Sequence, residues 1–208
     1  MSKRLRDVYQ DILPEEMVKK LEDYQHSLEA HIRLINLLTQ DYDALLNQMQ
    51  LLQNDQAFRR TLARTLFALV EGTVFALKQW TLDKFNLGLC DLSRAEYALL
   101  AEESYDLKDN GDPRVSQRFI RLEVNIKFAI SLYAKKVGGF QHKLNAGDEK
   151  WANFIHAIEV RNRLMHPKSV TDLLVSDKDL SCIVAAASWF KESIGGVALK
   201  AWAANNKA

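Results

Sequence analysis

The sequence predicts an all-α protein, a long coiled-coil-like helix followed by a helical bundle, and three observations predict it. Only eight glycines and three prolines punctuate 208 residues, so little in the chain stops a helix. Apolar residues repeat every seven positions through the first quarter of the chain, and later apolar residues recur at helical spacing between turn signals. Asn54-Asp55 divides the two parts, giving an extension over residues 1–54 and a bundle over 55–208.

Pro14-Glu15-Glu16 reads as a helix start, with proline in the first turn and two acids facing the positive end of the helix dipole. One heptad set is Leu21, Leu28, Ile35, Tyr42 and Met49; the other is Met17, Tyr24, His31, Leu38, Leu45 and Leu52. Such a helix is on the order of 50 Å long at 1.5 Å per residue. His31 alone breaks the seam and reads as a polar register mark. A second helix runs from about Gln56 to Lys84, with Phe58, Leu62, Leu66, Leu69, Val70, Val74, Leu77 and Trp80 as its apolar stripe. Glu71 interrupts that stripe. It pairs with Lys78, stays unpaired at the edge, or faces Arg161 across the bundle.

Ser93-Arg-Ala-Glu96 and Ser176-Asp-Lys-Asp179 resemble capping boxes and start two further helices. Asn110-Gly-Asp-Pro113 is a turn, and Lys108 to Ser116 reads as an exposed connection. The segment Ile120 to Leu132 alternates like a strand, yet Phe119, Leu122, Ile126, Ile130, Tyr133 and Val137 also form a helical stripe. Thirteen residues far exceed a usual strand, and no partner strand is evident, so helix is the expectation. Another helix follows Gly147-Asp148 and buries Trp151, Phe154, Ile155, Ile158 and Leu164 or Met165. The last runs from about Lys178 to Ala204 with Trp189, Phe190 and Trp202, aromatics spaced for packing or, alternatively, for base stacking.

A 48% hydrophobic composition supplies a core, and a net charge of +1 excludes binding of nucleic acid by bulk electrostatics. Cys90 and Cys182 form neither a metal spacing nor a disulfide framework. No apolar run approaches the roughly 20 residues needed to span a bilayer, and the basic start Met1 to Arg6 leads into Asp7 rather than an apolar stretch. A cytoplasmic protein without cofactor or metal is the expectation. His142 and His156 have no acidic or cysteine partner at ligand spacing and read as surface or packing residues. Two basic groups offer a surface for RNA or solvated helix faces: Arg59, Arg60 and Arg64, and Arg114, Arg118 and Arg121.

Candidate chemistry gathers in Arg161-Asn162-Arg163-Leu164-Met165-His166-Pro167. Arginine presents a permanently charged fork that matches phosphate, and histidine titrates nearest neutrality. Proline biases the preceding residue away from helical angles, which sets His166 where the helix frays into a loop. Asn162 precedes His166 by four residues and shares its face, able to orient the imidazole. Arg161 lies about 140 degrees from His166 on an ideal helix, so a second copy of the helix would complete a site.

The segment Glu159 to Lys168, followed by Leu174 to Leu180, resembles the signature of the HEPN superfamily of helical domains: an arginine, a polar residue directly after it, and a histidine after four to six intervening residues. Leu69 to Lys78 is similar to that family's first core helix, and the likeness covers roughly residues 58 to 200 in helix order. The resemblance implies a HEPN-type bundle and a homodimer with facing motifs. It further implies a metal-independent endoribonuclease, restrained by a partner such as an antitoxin protein, as in toxin and phage-defence relatives. His166 would transfer protons and Arg161 would clamp phosphate, while the RNA 2′-hydroxyl attacks to leave a 2′,3′-cyclic phosphate. The alternative is a non-catalytic HEPN module for dimerisation or for binding a partner or nucleotide. In it Arg161 pairs structurally with Glu71, and His166 caps the helix end.

Overall fold

A computed structural model of the chain describes residues 13–205, and those residues are mostly helical. The basic start Met1 to Asp7 and the Trp202 side chain lie outside what is described. Helix α1 (Glu15–Asn47) opens directly after Pro14 and is separated by Gln48 from a single turn, α2 (Met49–Leu52). Its seam packs along a helix of the same chain, α3 (Gln56–Asn86), with Tyr42 fully buried and Ile35, Leu38, Leu45 and Met49 half-buried against the core. Gly72 lets the two approach, since a Cβ there would stand 2.6 Å from the Leu38 side chain. At the far end of α1 the buried residue is Val18 while Met17 is exposed. His31 packs edge-on to Phe75 and Trp80, a place within the seam.

Helix α3 is the central element and touches every other long helix. Asp55 caps it by accepting the Phe58 N–H at 2.8 Å, and all of the expected stripe except half-buried Trp80 is buried. Around it stand α4 (Arg94–Leu100), α5 (Leu122–Lys136), α6 (Glu149–Met165) and α7 (Asp177–Asn205). The alternating segment is helix α5, buried through Ile126, Ala129, Ile130, Leu132 and Ala134. Trp189 and Phe190 lie buried beside Trp151 and Phe154, which removes them as stacking platforms for bases. By length and composition α7 is able to cross a membrane, contrary to the expectation that no segment is; in the bundle Ile183, Ala186 and Phe190 bury its inner face.

The connection expected over Lys108 to Ser116 belongs to a β-hairpin, β1 (Glu103–Leu107) antiparallel to β2 (Pro113–Gln117). Its strands are short and exposed, so they carry no hydrophobic alternation to read. A two-stranded hairpin is marginal alone. This one is anchored at its base, where the Arg118 N–H donates to the Glu102 carbonyl at 2.6 Å.

Candidate functional site

Asp148 caps α6 through the Trp151 N–H, and Trp151, Phe154, Ala157, Ile158 and Leu164 bury one face of it. Arg161 emerges at the edge of that face, toward α3. Its Nη2 donates to Glu71 Oε1 at 2.5 Å and its Nη1 to Asn162 Oδ1 at 3.1 Å. Glu71 therefore meets Arg161 and not Lys78, and it is exposed rather than costly and buried. Asn162 orients the arginine, not the imidazole expected from the shared face, because side chain and neighbour lie on the same rim. His166 ends α6 with φ −130°, its N–H still bonded to the Asn162 carbonyl at 3.1 Å. Proline at 167 has placed an exposed imidazole at the helix end, and among the described residues its ring has no hydrogen-bond partner.

Glu71, Arg161 and Asn162 line a groove of about 770 Å³ between α3, α5, α6 and the hairpin base. The strip Arg118-Phe119-Ile120-Arg121 forms its opposite wall. His166 is not among the lining residues, so one chain brings arginine, amide and carboxylate together and leaves the histidine outside. Four carboxylates, Glu71, Glu102, Glu123 and Glu159, line the groove with three arginines, Arg118, Arg121 and Arg161. Arg121 pairs with Glu123 at 3.2 Å, whereas the Arg118 guanidinium has no side-chain partner among the described residues. Arg114 lies on β2 and does not reach the groove.

The other basic group is structural. Arg59 is buried; it donates to the Gln53 and Val175 carbonyls and to Asp177 Oδ1. Arg60 donates to the Leu173 carbonyl at 3.2 Å, and Arg64 to the Leu164 carbonyl at 3.2 Å, at the end of α6. Arg163 holds the Asp172 carbonyl at 2.8 Å. Arg59, Arg60 and Arg163 satisfy carbonyls of the loop that follows His166 and pin it to the bundle, while exposed Arg64 holds the last turn of α6.

Sequence reasoning missed two polar centres. Asp179 accepts from Arg163 Nη2 at 2.6 Å and the Ser176 N–H at 2.9 Å, and stands 2.7 Å from His156 Nε2. An ionised carboxylate only accepts, so Nε2 carries the proton. His156 has an acidic partner after all, 23 residues away on α7, a separation no ligand-spacing rule catches. Desolvation pushes the Asp179 carboxyl up, but the Ser176 N–H and hydroxyl, His156 and Arg163 together hold it below the usual 3.8. The second centre is Lys78, 2% exposed, whose Nζ donates to Glu102 Oε1 at 2.6 Å and Asn125 Oδ1 at 3.2 Å. Burial lowers its pKa against the raising effect of Glu102. Its position four residues after Val74, on the apolar stripe, was the available signal. Glu102 sits at φ 54°, a left-handed conformation unusual for a side chain of its size, at the turn from α4 into β1.

Among the described residues no group of histidine, cysteine and carboxylate side chains could hold a metal ion, and both cysteines are free. No family model, characterised protein or solved structure matches this chain.

Proposed function

We propose that the chain is a HEPN-like, metal-independent endoribonuclease that works in the cytoplasm as a homodimer restrained by a partner protein. One observation carries this reading: the helix that sets Arg161 in a groove ends one turn later in an exposed, unbonded His166. In the reaction the RNA 2′-oxygen bonds to phosphorus and the phosphorus–O5′ bond breaks. His166 takes the 2′-hydroxyl proton, the same residue of a second copy protonates the 5′-oxygen, and Arg161 stabilises charge on the phosphoryl oxygens. Because His166 lies outside the groove of its own chain, a second copy is needed to bring imidazole and guanidinium together. Glu71 and Asn162 hold the guanidinium in place until phosphate arrives.

The test is RNA cleavage in EDTA, with products bearing 2′,3′-cyclic phosphate. His166→Ala and Arg161→Ala should each lose at least about a hundredfold, the usual scale for a proton-transfer group or charge stabiliser. Equal cleavage by both variants would remove the site assignment. A second reading, a non-catalytic interaction module, is favoured by the engagement of Arg161 with Glu71 and Asn162 and by a groove lining in which carboxylates outnumber arginines. Under it Arg161→Ala lowers stability and no RNA is cut.

A further inference from the structure

Phe119 is 90% exposed, on a groove wall that faces half-exposed Phe75. Its strip joins β2 to α5 without regular secondary structure of its own. The Arg118 N–H continues the hairpin ladder to the Glu102 carbonyl, and the Glu102 carboxylate is locked by Lys78 and by Asn125 Nδ2 at 3.1 Å. An ion pair between buried Lys78 and partly exposed Glu102 thus fixes the backbone that holds the ring out in water. Arg118, with its guanidinium uncommitted, stands beside the ring, and Arg161 lies across the groove.

We propose that this wall is a base-stacking platform for single-stranded RNA: Phe119 stacks one unpaired base, Arg118 contacts the adjoining phosphate, and the strand runs across the groove toward Arg161. This rests on the RNA reading above and adds the residues that choose single strands over duplex, since a paired base has no free face to offer. Charge fixes the character of the binding, because four carboxylates outnumber the three arginines that line the groove. Three of the four carboxylates lining the groove are occupied by Arg161, Arg121 and Lys78, and one arginine is free. Stacking should dominate, and the salt dependence should be shallow, a slope near −0.7 per phosphate contacted.

The experiment measures fluorescence anisotropy of a labelled 2′-O-methyl RNA 10-mer, which lacks the nucleophile and stays intact, against the full-length protein in EDTA. Phe119→Ala should weaken binding about 5- to 150-fold, the scale of one stacked base, and Phe119→Trp should restore it. Arg118→Gln should flatten the salt slope by about 0.7. An abasic strand of equal length should bind wild type and Phe119→Ala alike. Circular dichroism confirms folding, which an exposed ring does not control. Unchanged affinity in Phe119→Ala, equal wild-type affinity for abasic and base-bearing strands, or no binding of either overturns the platform. Cleavage separates the two ideas. Phe119-dependent binding without cleavage of an unmodified strand sinks the nuclease reading alone, while cleavage with unchanged efficiency in Phe119→Ala sinks the platform alone.

Discussion

Replacing Asp179 with alanine should be the most destabilising single change near the motif. The carboxylate is 8% exposed and serves three partners: Arg163 at 2.6 Å, His156 at 2.7 Å and the Ser176 N–H at 2.9 Å. Ser176 still caps α7, but losing the reciprocal carboxylate of its capping box costs up to about 1 kcal/mol. Stranding a guanidinium that is mostly covered raises the total to about 3–5 kcal/mol, the range for removing one partner of a buried pair. At about 2–4 °C per kcal/mol for a chain of this size, the melting temperature should fall by roughly 6–20 °C. The consequence reaches the site, because Arg163 also holds the loop that follows His166. Scanning calorimetry at neutral pH measures the loss. Acid titration adds a signature: the carboxyl is held below 3.8 in the fold, so its contribution is complete above that value and disappears as pH drops through the folded-state pKa. Wild type and Asp179→Ala should therefore converge in melting temperature in strong acid, once pH has dropped through the folded-state pKa. A fall of less than about 3 °C at pH 7, or a gap that persists in strong acid, would refute the argument.

Glu71→Gln should leave melting within about 2 °C, since an exposed pair contributes about 0–1 kcal/mol, yet reduce RNA cleavage by releasing Arg161; unaltered cleavage removes Glu71 from the site. Tyr42→Phe should raise the melting temperature by a few degrees, because the buried Tyr42 hydroxyl has no hydrogen-bond partner among the described residues and a buried unsatisfied group costs about 1–3 kcal/mol; a drop on calorimetry would show that it is satisfied. Deleting residues 1–52 exposes the α3 surface under Tyr42, Leu38 and Ile35, and light scattering should find aggregation rather than a well-behaved fragment.

Much of the helical plan was legible because local physics sets it. Asp55, Ser93, Asp148 and Ser176 each cap the helix that their spacing announced, by satisfying N–H groups that no intrahelical carbonyl reaches. The α3 stripe was legible for the same reason. The hairpin was not: Tyr105 pairs with Val115 across it, but both are exposed, and nothing buried enforces an alternating pattern. Nor was the burial of Val18 beside an exposed Met17, since Met17 and not Val18 stands on the heptad seam.

The sequence by itself determined the helices, their caps, and the placing of Arg161, Asn162 and His166 on one helix end, because each depends on contacts within a few residues. Only the tertiary structure decided which charges meet. It paired Glu71 with Arg161 instead of Lys78, sent Lys78 to Glu102, joined His156 to Asp179, and turned Arg59 and Arg60 inward onto a loop. A charge takes whichever partner packing brings within hydrogen-bond reach, and residues 23 to 118 positions apart become neighbours only when the apolar faces close.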